Sequence, residues 1–212
     1  MISSKVVLVP LVFLILISVS RSPRIDPLSS LFEPCGLPHN QPSLPEQPDI
    51  IFNVWRTPFL GDGFIAFREA IAFKESRGDY QCVNKFGYLG KYQFSPNTLK
   101  LLGIYSTHTF LNQPELQEKA FLANAIRNKW VLRNYLQRFE NSRINGIHIT
   151  QSGMIAAAHL AGPANVKRYL NSGGNWDTKD ALGTKLSYYL KKFSSYDTYN
   201  LPSEQKPKAY QL

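Results

Sequence analysis

Sulfur is scarce in this 212-residue chain, with two cysteines and two methionines. Cys35 and Cys82 stand in unlike contexts, and no cluster of His, Cys, Asp and Glu accompanies either at ligand spacing. A metal site is therefore not expected, and no cofactor is implied. Both cysteines suit an oxidising compartment, and two readings stay open: a disulfide stapling the segment around Cys35 beside Cys82, or two free thiols. The chain lacks an internal repeat. It also lacks a basic run dense enough to mark a nucleic-acid tract, which argues against a nucleic-acid binder. The one long apolar run, Val6 to Val19, is broken only by Pro10 and Ser18. It is shorter than the roughly 20 residues a membrane-spanning helix needs. Behind Lys5 and ahead of Ser18-Val19-Ser20 it has the proportions of a secretory signal. Residues 1–20 then read as a signal peptide cleaved after Ser20, or as an uncleaved N-terminal membrane anchor. In either case the rest of the chain is exported, to the periplasm or cell envelope or beyond.

What is present is basic and aromatic. The formal net charge is +9, and 43% of residues are hydrophobic and 13% aromatic. The composition fits one globular domain with a filled interior. The charge favours polyanionic partners, or is simply a basic soluble surface.

Prolines 23, 27, 34, 38, 42, 45 and 48 make residues 21–50 a semi-rigid extended linker. From 51 to 193 helical patterns follow one another. Phe64, Phe67, Ile71 and Glu75 share one helical face, and Gly78 marks the stop. Ser95-Pro96 is a cap followed by a first-turn proline, and Gly103 closes that helix. Asn112 is expected to open the longest helix, running to about Phe139. Thr150 caps an apolar helix ended by Gly162 and Pro163, and Thr184 opens a last one carrying Leu186, Tyr189, Leu190 and Phe193. Between Tyr80 and Phe94 the glycines and aromatics predict a small hairpin or an irregular loop. Residues 194–212 lose periodicity and are expected to form a flexible tail. The fold class is mainly α, with one small β element.

Glu75 is the residue with the most chemical promise. It continues an apolar stripe, so its carboxyl is expected to be partly desolvated and its pKa raised, as a general acid requires. The competing reading is a solvated carboxylate paired with Lys74 or Arg77.

Glu75-Ser76-Arg77-Gly78, then Asn84, then Gly87-Tyr88-Leu89-Gly90-Lys91-Tyr92-Gln93-Phe94, resembles the lytic transglycosylase and goose-type lysozyme superfamily. Ala157-Ala158-His159-Leu160-Ala161-Gly162 and the late Gly183-Thr184 with Tyr189-Leu190 follow in the family's order, across residues 60 to 193. The resemblance implies a lysozyme-like fold with a glycan-binding groove, and cleavage of the β-1,4 bond between N-acetylmuramic acid and N-acetylglucosamine in peptidoglycan. It implies Glu75 as the catalytic acid, with Tyr92, Gln93, Tyr189 and His159 toward substrate. Aromatic faces pack on pyranose rings and amides bond hydroxyl or acetamido groups. His159-Leu160 departs from the family's tyrosine-asparagine. His159 would bond Glu75 or the acetamido group, or else be a satisfied core histidine.

No second carboxylate stands out, since Asp79 lies beyond the helix stop and Asp177 and Asp180 suit caps. A single glutamate suits a lytic transglycosylase, in which the muramyl 6-hydroxyl attacks in place of water. The alternatives are a hydrolytic muramidase and a non-catalytic glycan-binding envelope protein on the same fold. The oligomeric state is left open.

Overall fold

Three phenylalanines explain how the first helix is held. Helix α1, Phe64–Ser76, buries Phe67 and Ile71 on one face. The Phe67 ring meets Phe121 at 6.2 Å and Phe193 at 6.3 Å between centroids. Fully burying one such side chain contributes about 1.5–3 kcal/mol. Three distant parts of the chain are thereby fastened at one point. The helix ends where Arg77 turns left-handed (φ 60°), with Gly78 behind it, and their N–H groups return to Phe73 and Ala72. This is the predicted stop.

The computed structural model describes residues 61–180 and 182–212. The expected signal or anchor (1–20), the linker (21–50), Cys35 and the opening residues of the expected domain lie outside the described residues. Seven α-helices and one two-stranded antiparallel sheet make up the described part, which is mainly helical.

The caps follow the sequence closely. Ser95 accepts a hydrogen bond from the Thr98 N–H and opens α2, Pro96–Leu101, with proline in its first turn. Ser106 does the same for Thr109 in α3, Thr107–Asn112. Asn112 therefore closes a short helix and does not open the long one. That helix, α4 (Pro114–Phe139), starts at the next proline. Thr150 caps α5, Gln151–Ala161, through the Gly153 N–H. Gly162 ends α5 and Pro163 starts α6, Pro163–Asn171, at once. The expected terminator is thus also an initiator, because proline's missing N–H costs nothing in a first turn. Helix α7, Leu186–Lys192, follows Lys185, one residue later than expected.

The β element sits elsewhere than expected. Strands β1, Arg143–Ile144, and β2, Ile147–His148, pair across Asn145-Gly146, whose φ values of 48° and 76° make a mirror-image turn. Residues 80–94 form the irregular loop, closed by single bridges Val83–Leu89 and Leu89–Phe94.

Helix α5 runs through the middle, buried from Gln151 to Ala158 and packed on α4, α6 and α7. A Cβ added at Gly153 would lie 2.6 Å from the Leu190 carbonyl oxygen. Glycine here sets how closely α7 approaches. Residues 194–212, expected as a flexible tail, are instead anchored. Lys129 donates to the Tyr199 and Leu201 carbonyls, Gln151 to the Thr198 hydroxyl, and the Ala209 N–H to Leu102, while Leu201 and Ala209 are buried. A few apolar anchors and backbone bonds suffice to order a segment without helical periodicity.

Candidate active site

Glu75 sits on the last turn of α1, where its side chain meets α7. The Tyr189 hydroxyl donates to Glu75 Oε1 at 2.5 Å. Tyr189 is itself fully buried, so its ring fixes the hydroxyl rigidly. Burial pushes the Glu75 carboxyl up to about 7, against the pull of the Tyr189 hydrogen bond and of Lys74, and with a push from Asp180. Among the described residues Glu75 has no ion pair with Lys74 or Arg77. With Oε1 held by the Tyr189 hydroxyl, Oε2 is the oxygen left for the acid form to carry its proton.

An open cleft of about 440 Å³ lies against this acid. Gln93 and His159 line it, and Leu160 supplies an apolar wall. The Gln93 backbone is left-handed (φ 51°), an uncommon state for a side-chain-bearing residue. Its amide nitrogen donates to the Gly90 and Cys82 carbonyls, which holds the turn and leaves the acceptor oxygen Oε1 out of those two bonds. Such backbone strain gathers where a side chain must be aimed.

His159 is neutral and fully engaged. Its Nε2–H donates to the Tyr92 carbonyl at 2.9 Å, and Nδ1 accepts from the Asn124 amide at 3.1 Å. Burial lowers its pKa to about 4. The satisfied-histidine alternative holds: the ring borders the cleft, yet both nitrogens are spent on protein, with none left for Glu75.

Tyr92 requires a correction. It is fully buried, stacks on Phe121 at 4.4 Å, and donates its hydroxyl to Glu118 Oε2 at 2.6 Å. It does not line the cleft. The left-handed turn at Gln93 lets its side chain face the cleft while the adjoining Tyr92 faces the core. Tyr189 likewise acts through Glu75 and offers no face to a ligand.

The loop bearing Gln93 is clamped from behind. Lys91, buried, bonds Glu69 at 2.9 Å and Glu118 at 2.8 Å, and Arg68 bonds the second oxygen of Glu118 at 2.9 Å. The Ser76 hydroxyl donates to the Lys91 carbonyl. The Gln117 amide accepts from the Lys91 N–H and donates to the carbonyls of Tyr80 and Phe110. A Cβ at Gly90 would fall 2.2 Å from Gln117 Oε1, so this approach requires glycine. Cys82, at the base of the loop, is disulfide-bonded, its partner lying outside the described residues.

Of the cleft residues, Phe86 and Leu182 have no place in the sequence motifs, and Tyr88 and Asp180, named there, carry no expected role at the cleft. Phe86 and Tyr88 stand exposed on a turn organised by Asn84, whose Oδ1 accepts both of their N–H groups. The Asn-x-Phe-Gly-Tyr run was a readable signal: an Asx turn displaying two aromatics. Asp180 and Leu182 come from the segment before α7. Asp180 Oδ1 accepts from the Leu182 and Thr184 N–H groups, and Asp177 bonds Ser187 in the first turn of α7. Asp177 thus caps α7, whereas Asp180 caps no helix and instead ties the turn before it, at the cleft edge.

No protein-family model, curated protein or solved structure matches this chain. The described residues include no group of three or more His, Cys, Asp and Glu placed to hold a metal, and no helix long and apolar enough to cross a membrane. What the site offers is one carboxylic acid protonated near neutrality, one fixed amide acceptor, and two exposed aromatic faces. A carboxyl so poised can both give and take a proton near neutral pH.

Proposed function

We propose that this chain is a peptidoglycan-cleaving glycosidase with a lysozyme-like fold and a glycan-binding groove, and that Glu75 is its general acid and base. The supporting observation is a Glu75 carboxyl raised to about 7, held by Tyr189 at the side of an open cleft. The ordered motifs around Glu75-Ser76, Gln93 and Tyr189 support the same superfamily. In this reading the chain works outside the cytoplasm on glycan strands, attached to the membrane through its N-terminal segment or released from it.

The reaction follows from one acid. Glu75 gives its Oε2 proton to the glycosidic oxygen as the bond to the anomeric carbon breaks. The muramyl 6-hydroxyl then attacks that carbon, and the Glu75 carboxylate takes the proton that the hydroxyl loses. The product is a 1,6-anhydro ring, and Glu75 is restored. Phe86 and Tyr88 would carry sugar faces, and Gln93 Oε1 would accept from an acetamido N–H or a hydroxyl. A near-neutral acid is needed for the first step, and Tyr189 steadies the carboxylate for the last.

One observation favours hydrolysis as a second reading: Asp180 borders the same cleft and can direct a water with Oδ2. Mass spectrometry of fragments released from purified peptidoglycan by the full chain separates the two. Anhydromuramyl ends that vanish in Glu75→Gln and persist in Asp180→Asn are the expected result. Reducing muramyl ends lost in both variants would establish hydrolysis. Undiminished cleavage by folded Glu75→Gln would overturn the assignment of the acid.

A further inference from the structure

A second concavity, of about 710 Å³, shares no residue with the Glu75 cleft. Its origin lies in how the C-terminal segment is pinned. Lys129 holds the segment at Tyr199 and Leu201, and the Ala209 N–H holds it to Leu102 just beyond α2. Between those anchors the chain passes over α4 and encloses an open basin. The Lys208 ammonium, donating to the Leu101 carbonyl at 3.3 Å, closes one end.

The basin is lined by four cations and no acid. Lys100 comes from α2, Arg127 from α4, and Lys206 and Lys208 from the segment above. Among the described residues none of the four is in an ion pair. Trp130 lies on the same face of α4, three residues past Arg127, and the Arg133 guanidinium sits 4.0 Å from its ring. Gln205 adds an amide to the lining. Concave walls bearing one sign of charge focus the field and concentrate counter-ions far better than a convex surface does. A fold pays repulsion to gather four like charges this way, and the cost is removed when a multivalent anion enters. Arg127 offers the planar fork that matches phosphate oxygens, and the lysines offer point charges around it. About 330 Å³ of it is space a ligand can fill, at the lower end of the range of small-molecule sites.

We infer that this basin is a binding site for a ligand carrying two or more phosphate-type charges, such as a diphosphate or a short phosphodiester segment. It is independent of the glycosidase reading, since it shares none of its residues. The binding is electrostatic in the main and weakens as salt rises.

The probes are inorganic pyrophosphate for a free diphosphate and cardiolipin vesicles, whose headgroup carries two phosphates, for a lipid-borne pair. Isothermal titration of the full chain at low salt is expected to show saturable binding of one probe. The double variant Arg127→Ala, Lys206→Ala loses at least about tenfold in affinity, as expected for two charge-assisted contacts. The charge-matched control Arg143→Ala, Lys191→Ala, at exposed positions elsewhere, leaves it unchanged. Equal losses in both double variants would mean generic charge attraction and overturn the site. A wild-type measurement guards against a variant that fails to fold. The probe should protect Lys100, Lys206 and Lys208 from acetylation while Lys191 stays reactive, read by mass spectrometry. Protection by either probe upholds the site and says which source it serves, and protection by neither refutes it.

Discussion

Replacing Glu75 with glutamine should make the protein more stable above about pH 4.5, and most of all at neutral and alkaline pH. Moving the acid from 4.5 to about 7 costs the folded chain about 3 kcal/mol once the pH is above both values, at ~1.4 kcal/mol per pH unit of displacement. The sign follows from where each state holds the proton. Below about pH 4.5 the folded and unfolded chains both keep it, and nothing is lost. Between 4.5 and about 7 the unfolded chain releases it while the folded chain retains it, so stability falls as pH rises. Above about 7 both are ionised and the loss is complete. Glutamine has no charge to bury and still accepts the Tyr189 hydroxyl. The variant and wild type should therefore unfold alike in urea at pH 4. At pH 8 the variant should be more stable by about 3 kcal/mol, or roughly 6–12 °C in melting temperature. Tryptophan fluorescence through urea titrations at several pH values reads this directly. Parallel pH profiles for the two proteins would refute the idea that Glu75 is desolvated, whatever the activity assays say.

Other outcomes test the remaining parts of the site. Tyr189→Phe removes the hydrogen bond that lowers the Glu75 pKa, so the basic limb of the activity profile should move up by about one pH unit while activity falls. An unmoved limb would mean the pair is not formed in solution. Tyr92→Phe deletes the donor to Glu118 and should cost about 1–2 kcal/mol of stability with KM unchanged; a raised KM would return Tyr92 to the cleft. Gly153→Ala forces its Cβ against the Leu190 carbonyl and should cost about 1–3 kcal/mol, with a fall in activity beyond that of Tyr92→Phe because α7 carries Tyr189. In nitrogen NMR, His159 should hold its proton on Nε2 and stay neutral down to about pH 4; titration near 6.5 would contradict the bonding described for its ring.

Much of the fold was legible where local chemistry decides it. Ser95-Pro96 and Thr150 cap as read, and α1 stops at Arg77-Gly78, because those effects depend on a few adjacent residues. Two misreadings were local as well. Pro163 was taken only as a stop although it also begins α6, and Asn145-Gly146, a strong hairpin signal, was passed over in favour of the glycines at 87 and 90. The site divided differently. Glu75 was legible from its apolar stripe and motif, but its pairing with Tyr189 was not, since no periodicity links α1 to α7. Tyr92 and Gln93 are neighbours in sequence with opposite fates, decided by a left-handed φ at Gln93 and by the Glu118 carboxylate behind the loop. Asp180 reads as a cap but ties a turn ahead of α7 instead, and that it borders the cleft is a tertiary fact.

The Glu75–Tyr189 hydrogen bond joins residues 114 positions apart, and this separation has a bearing on timing. A chain emerging from the ribosome completes α1 long before α7 exists. Until α7 docks, Glu75 at the end of α1 lacks the Tyr189 hydroxyl that holds its Oε1. The surroundings of this carboxyl are therefore among the last parts of the described fold to assemble, although the carboxyl itself is among the first to be made.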